Sequence, residues 1–448
     1  MKTIDALARD LETGQTTVAA LVETALERIK DAAGEGARTF LRVDEAGVRE
    51  TARYVDGLRR RNAQPSRYAG IPISVKDLFD VAGEVTTVGS VVLKDQPPAQ
   101  ADAPAIARMK AKGFIVIGRT NMTEFAYSGV GLNPHYGTPL SPYDRATGRI
   151  PGGSSSGAAV SVADGMCALG LGTDTGGSCR IPASFCGVVG YKPSTGRIPT
   201  HGVYALSRTL DSVGSLGRSV RCVALADAIM AEDWDGNIEE SAVNQLKLGL
   251  PDNLDMDGLE ESVAKNFERA MKRLRDGGCR IDKIAFPSIE EISAINSKGG
   301  ISAIEAFTDH RALILSKGEL YDPRVGRRIL NGSKIPAYEY LEILRVRSEL
   351  IARVKRLLRG FDGILMPTTP NVPPPVAALE RDEEYTRINF LSLKHTFAGN
   401  FLDLCAISLP MHEPGGAPCG LMIMAPWGSD QALFAAAMAV ERAIAGDR

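Results

Sequence analysis

No apolar run in this sequence approaches the roughly 20 residues that span a bilayer, so no membrane-spanning helix is expected. Neither sign of charge dominates. The 52 basic and 54 acidic residues leave a formal net charge of −2, which gives no reason to expect nucleic acid or a strongly acidic partner. The seven cysteines, at 167, 179, 186, 222, 279, 405 and 419, form no CxxC pair, so neither a zinc ribbon nor a disulfide framework is indicated. Cys179 reads as a small buried hydrophobe. The opening residues Met1-Lys2-Thr3-Ile4-Asp5 lack the apolar segment of a secretory signal, and a cytoplasmic location is expected. Histidine is scarce, with five residues at 135, 201, 310, 395 and 412. No HExxH or carboxylate–histidine cluster occurs, so neither a metal nor another cofactor is expected.

What is present is glycine and serine in two clusters between Pro151 and Pro193. The first is Gly152-Gly153-Ser154-Ser155-Ser156-Gly157 and the second Gly176-Gly177-Ser178. Between them runs the apolar segment Cys167-Ala168-Leu169-Gly170-Leu171. Linker glycine and serine come without such a core.

This stretch resembles the signature of the amidase signature family, serine hydrolases with a Ser–Ser–Lys triad. The family pattern has a GGSS cluster followed by a G-T-D-x-G-G-S-x-R-x-P-A block, here Gly172-Thr173-Asp174-Thr175-Gly176-Gly177-Ser178-Cys179-Arg180-Ile181-Pro182-Ala183. Ser154 and Ser178 stand 24 residues apart, the family's spacing. A third block, Pro72-Ile73-Ser74-Val75-Lys76-Asp77, is similar to the strand that ends on the family's lysine. Weaker similarities lie in Asn121–Phe125, in 187–193, in 210–214 and in 361–370, while 235–360 matches loosely. The resemblance implies an α/β fold, with a large mixed β-sheet sandwiched between layers of α-helices.

The residues give their own outline. Helical periodicity is expected over 16–31, with Thr16 or Thr17 as N-cap, and over 44–61, 103–112, 219–232, 262–275 and 337–358. A last helix is expected from Ser429 through Ile444. Strands are expected over 71–75, 113–118, 246–250, 361–366, 404–409 and 420–424. The β–α–β rhythm from 71 to 118 argues for a largely parallel sheet. A helical arm over 1–62, packed on a catalytic unit over 63–448, is the expected organisation.

A serine hydroxyl is a weak nucleophile until a base takes its proton, and no histidine lies in a block that carries the catalytic resemblance. A lysine can serve when burial disfavours its charged form. The resemblance makes Ser178 the nucleophile, Ser154 the proton relay in a cis peptide and Lys76 the base. Backbone N–H groups of Thr175, Gly176, Gly177 and Ser178 are the expected oxyanion donors. Ser155 is expected to hold the loop by hydrogen bonding. Tyr127 and Ser128, after the Asn-x-x-Glu-Phe block, are candidate substrate contacts, with Tyr127 equally readable as packing. Arg180 is read chiefly as loop support and as a candidate for a substrate carboxylate. Arg324, Arg327, Arg328 and Arg345 are further candidates, each singly read as solvated.

Two other schemes compete. Gly153-Ser154-Ser155-Ser156-Gly157 fits GxSxG, which would make Ser155 the nucleophile but needs a strand directly before it, where the sequence looks like loop. A phosphate loop would need a Gly-Lys-Ser/Thr that does not follow. Within the family, the expected function is a free-standing amidase acting on a small-molecule amide, with no direct contact to nucleic acid or membrane and homodimer formation as a possibility from relatives. The alternative is the ammonia-releasing component of a tRNA-dependent glutamine amidotransferase (its A component), which passes ammonia to a partner protein. The segment FAYSGVGLNPH departs from the serine-rich form of that component and favours the free-standing enzyme.

Overall fold

A computed structural model describes residues 1–233, 236–296 and 299–445. Positions 234, 235, 297, 298 and 446–448, inside the expected 63–448 unit, lie outside the described residues. Eleven strands form one sheet: β1 Phe40–Arg42, β2 Pro72–Lys76, β3 Ile115–Thr120, β4 Leu169–Asp174, β5 Val189–Lys192, β6 Ser212–Gly217, β7 Lys247–Pro251, β8 Arg280–Ile284, β9 Gly363–Pro367, β10 Cys405–Pro410 and β11 Gly420–Ala425. Their spatial order is β1-β3-β2-β4-β6-β5-β10-β11-β9-β7-β8.

The sheet is mixed, which corrects the expectation of a largely parallel one. β2 runs parallel to β3 and β4, and β7 parallel to β8 and β9, but the six remaining pairings are antiparallel. The β–α–β rhythm holds only at those two places. The central block of β4, β6, β5, β10 and β11 is antiparallel throughout.

Strands β2, β4, β6, β9 and β11 are buried at every position. Successive side chains point to opposite faces, so both faces of the sheet are covered. Helix Ser156–Ala163 packs on β4, helix Arg180–Cys186 on β5 and β10, and helix Asp430–Ala445 on β10 and β11. The apolar run between the glycine–serine clusters is β4 and the turn before it.

The first 62 residues carry helices Ile4–Glu12, Val18–Lys30, Gly36–Thr39 and Glu45–Arg60 joined by turns, together with β1, which adds an edge strand antiparallel to β3. Helix Val18–Lys30 starts where Thr17 accepts from Ala20 N at 3.1 Å. Such a cap contributes about 1 kcal/mol. Asp56, on helix Glu45–Arg60, accepts from Val18 N at 2.8 Å and Ala19 N at 3.0 Å, which ties the two helices together. Val18, Val22, Ala25 and Leu26 are fully or almost fully buried on one stripe.

The stretch 235–360, whose residues match the family loosely, contains helices Gly300–Lys317 and Pro323–Asn331 between β8 and the long helix Ala337–Leu357. Helix Pro323–Asn331 begins with Asp322 accepting from Arg324 N at 2.9 Å.

Candidate active site

The site grows from the C-terminal ends of two adjacent parallel strands. Lys76 is the last residue of β2 and Thr173 lies near the end of β4. Lys76 is wholly buried. Its Nζ donates to Ser154 Oγ at 2.8 Å and to Thr173 Oγ1 at 2.9 Å. Burial disfavours its ammonium form and lowers its pKa to about 8, against the opposing pull of Asp211 and Asp174.

Ser154 is also fully buried, and the Gly153–Ser154 peptide is cis. The loop is pinned on both sides: Gly153 N donates to Gly129 O at 2.8 Å, and Ser154 O accepts from Thr123 N at 3.1 Å. Ser155 joins the two clusters, its N donating to Ser178 O at 3.2 Å and its Oγ to Thr173 O at 3.3 Å. Ser155 is itself buried, and no strand precedes it, so the GxSxG arrangement does not form.

Ser178 sits in the turn between β4 and helix Arg180–Cys186. Asp174 organises that turn. Its carboxylate accepts from Gly177 N at 2.8 Å, Cys179 N at 3.1 Å and the Arg180 side chain at 2.9 and 3.0 Å. Burial pushes the Asp174 carboxyl up, but Arg180 and Lys192 outweigh burial and hold it at about 2. Gly177 has φ +139°, and a Cβ there would run into Thr396 and stand 2.7 Å from Ile181 Cδ1. Only glycine fits both the conformation and the space.

Two sequence expectations are corrected by this turn. The Gly177 N–H already has the Asp174 carboxylate as acceptor, so it is not available as an oxyanion donor. Those of Thr175, Gly176 and Ser178 take no acceptor among the described residues. Arg180 does not face substrate: it is wholly buried, with its guanidinium on Asp174 and, at 2.7 Å, on Asn400 Oδ1. Asp211, in a block singled out from sequence without a role, accepts from Thr175 Oγ1 at 2.6 Å and from the backbone of Leu206 and Ser207. Burial raises its pKa to about 6 despite those bonds.

Ser178, Thr175 and Gly176 open onto a cavity of about 420 Å³. Tyr127 and Ser128 line it too. They follow Phe125 and Ala126, which adopt positive φ of 49° and 58°, a conformation uncommon for residues with side chains. Ser128 Oγ is directed onto Asn389 Oδ1 at 3.0 Å. Arg328 also lines the cavity, from helix Pro323–Asn331 in the loosely matching stretch. Sequence reasoning missed Thr173 as a second partner of Lys76, although it stands inside the quoted block.

The histidines have other partners. His135 Nε2 lies 2.8 Å from Glu124 Oε1, His310 Nδ1 3.0 Å from Tyr321 Oη and His395 Nδ1 2.8 Å from Pro367 O. His201 is exposed in a turn. The partners of His135, His310 and His395 are thus other than Lys76, Ser154 and Ser178.

A family model described as Amidase matches residues 20–434. The 2-amino-5-chloromuconic acid deaminase of Comamonas testosteroni is 35% identical over 407 residues, covering 90% of this chain and 87% of the relative. The A component of the glutamyl-tRNA(Gln) amidotransferase of Clostridium botulinum is 31% identical over 441 residues, covering 90% of each. A solved structure described as that of an amidase has a TM-score of 0.89 and 32% identity, covering 98% of this chain and 99% of the other.

Proposed function

The chain belongs to the Amidase family and is a hydrolase of amide C–N bonds, and we propose that it works through an acyl-enzyme on Ser178, with Ser154 as relay and Lys76 as base. The observation that carries this reading is the buried Lys76, with its pKa lowered to about 8, hydrogen-bonded to Ser154 at 2.8 Å.

In the proposed reaction Ser178 Oγ attacks the carboxamide carbon. Its proton passes to Ser154 Oγ as the Ser154 proton passes to neutral Lys76 Nζ. The carbonyl oxygen becomes an oxyanion beside the N–H groups of Thr175, Gly176 and Ser178, each such donor contributing about 10²–10³ in rate. Collapse breaks the C–N bond, and Lys76 returns the proton through Ser154 to the leaving nitrogen. Water attacks the resulting ester, losing its proton along the same path, and Ser178 is released with the carboxylic acid.

The test is ammonia release by the purified chain alone on a panel of aliphatic, aromatic and half-diacid amides and glutamine, with Ser178→Ala as the blank. Turnover of a simple amide without a partner supports a free-standing amidase. The Clostridium botulinum relative supplies the second reading, a component that frees ammonia from glutamine for a partner. Activity restricted to weak glutamine hydrolysis would favour it.

A further inference from the structure

The Ser178 turn leaves the N–H groups of Thr175, Gly176 and Ser178 without an acceptor among the described residues. Such a donor stabilises an oxyanion only if it is aimed before the charge develops. In a planar trans peptide the N–H points opposite to the C=O, so whatever holds the carbonyl aims the N–H.

The carbonyls of the turn are held by different residues. Gly177 O accepts from Ile181 N at 2.7 Å, so the Ser178 N–H is aimed by the helix that follows it. Gly176 O accepts from Thr396 Oγ1 at 2.7 Å, but the N–H of that peptide, on Gly177, is spent on Asp174. Asp174 O accepts from Asn400 Nδ2 at 2.9 Å, and the N–H of that peptide is the one on Thr175. Asn400 reaches it from 226 residues downstream.

Asn400 lies on the short helix Phe397–Phe401 and is wholly buried. Its amide can sit only one way round. Arg180 Nη2 donates to Oδ1 at 2.7 Å, and a guanidinium has donors only, so the amide oxygen must face it and the NH₂ must face the turn. Nδ2 also lies 3.0 Å from Asp174 Oδ1 and 3.4 Å from Leu210 O. Asp211, next to Leu210, holds the Thr175 side chain through Oγ1 at 2.6 Å. Thr175 is therefore fixed at its side chain by Asp211 and at its peptide by Asn400. Removing the Asn400 amide leaves a buried carbonyl unpaired, which is costly unless the peptide turns toward another donor.

We propose that Asn400 is a positioning residue: by holding Asp174 O it aims the Thr175 N–H at the developing oxyanion. This rests on the Ser178 reading and deepens it by naming a group outside the serine–glycine clusters that sets the oxyanion site.

The test uses Asn400→Ala and Asn400→Ser in the full chain, with thermal melts to show that each is folded. Neither removes a member of the Asp174–Arg180 pair. For an amide that the wild type hydrolyses, kcat is expected to fall about 10- to 100-fold, less than the 10²–10³ for a donor lost outright. KM is expected to change little, as is the affinity of the same amide for Ser178→Ala carrying either substitution, because the contact forms with the transition state alone. An alkylboronic acid mimics that state: boron accepts a lone pair of Ser178 Oγ, and the hydroxyl proton passes through Ser154 to Lys76. Its affinity is expected to fall by the same factor as kcat. Wild-type protein with isotopically labelled threonine gives a reading that needs no variant. By magnetic resonance, the Thr175 amide proton is expected to move downfield when the boronic acid binds. Folded variants with wild-type kcat and boronate affinity, or a Thr175 proton that stays in place in the boronate complex, would overturn the proposal. Loss of amide affinity in step with kcat would also overturn it, in favour of a purely structural role. Turnover that survives Ser178→Ala, with no boronate formed on the wild type, would overturn the Ser178 reading and this inference with it.

Discussion

Lys76 Nζ stands 2.8 Å from Ser154 Oγ inside a region closed to solvent. What water would do for an ammonium is done here by two hydroxyls, Ser154 and Thr173. Hydroxyls solvate a charge less well than water, so the neutral amine is favoured relative to a free lysine.

The pH profile follows from this. The proposed base is active only when neutral, and its pKa is lowered to about 8, chiefly by burial. The neutral fraction falls with acidification below that value. We expect kcat/KM for a neutral amide to rise about tenfold per pH unit on the acid side and to level off above about pH 8. Lys76→Met is expected to lose about 10²–10⁴ in kcat/KM together with that limb. A rate–pH series on both proteins checks this.

Ser178→Ala is expected to abolish turnover. Ser154→Ala keeps the nucleophile but removes its path to Lys76, and is expected to lose about 10²–10⁴ in kcat. Single-turnover kinetics with an activated amide would place the loss in acylation.

Arg180→Met is expected to act on stability. The Asp174–Arg180 pair is fully buried at 2.9 Å. Removing the cation leaves a carboxylate held at about 2 without its main partner. The expected cost is about 3–5 kcal/mol, the range for breaking one side of a buried pair. Thermal and urea melts of the variant read it. A melt indistinguishable from wild type would contradict the structural role assigned to Arg180.

The signature blocks were legible because backbone-critical residues are clustered in sequence. Gly177 must be glycine for both φ and space, and Asp174 lies three residues before it, so a short segment specifies a whole turn. The chief reading of Arg180 as loop support agrees with its pairing to Asp174, whereas its secondary role as a substrate contact fails, because adjacency to Ser178 does not tell which way a side chain points. The same closeness hid the fate of the Gly177 N–H, whose acceptor is a side chain. Sheet direction was misjudged because β4, β5 and β6 are joined antiparallel, while the rhythm was read only from β2 to β3. Arg328 reaches the cavity from about 150 residues beyond Ser178, and nothing local separates it from Arg324 and Arg327. Only the third dimension shows that Arg324 and Arg327 share Asp382 while Arg328 stacks on Tyr127.

The histidines provide a negative control. His135→Ala and His201→Ala are expected to leave kcat on a neutral amide largely intact, because neither hydrogen-bonds Lys76, Ser154 or Ser178. If either variant were as inactive as Ser178→Ala, the lysine scheme would be wrong.

The central claim is that Ser178 forms the covalent bond. Its most direct test is peptide mapping by mass spectrometry after treatment with a fluorophosphonate, which phosphonylates an activated serine and releases fluoride. The account predicts a single adduct on Ser178, lost in Ser178→Ala and strongly slowed in Lys76→Met. An adduct on Ser155, or amide turnover that survives Ser178→Ala, would contradict it.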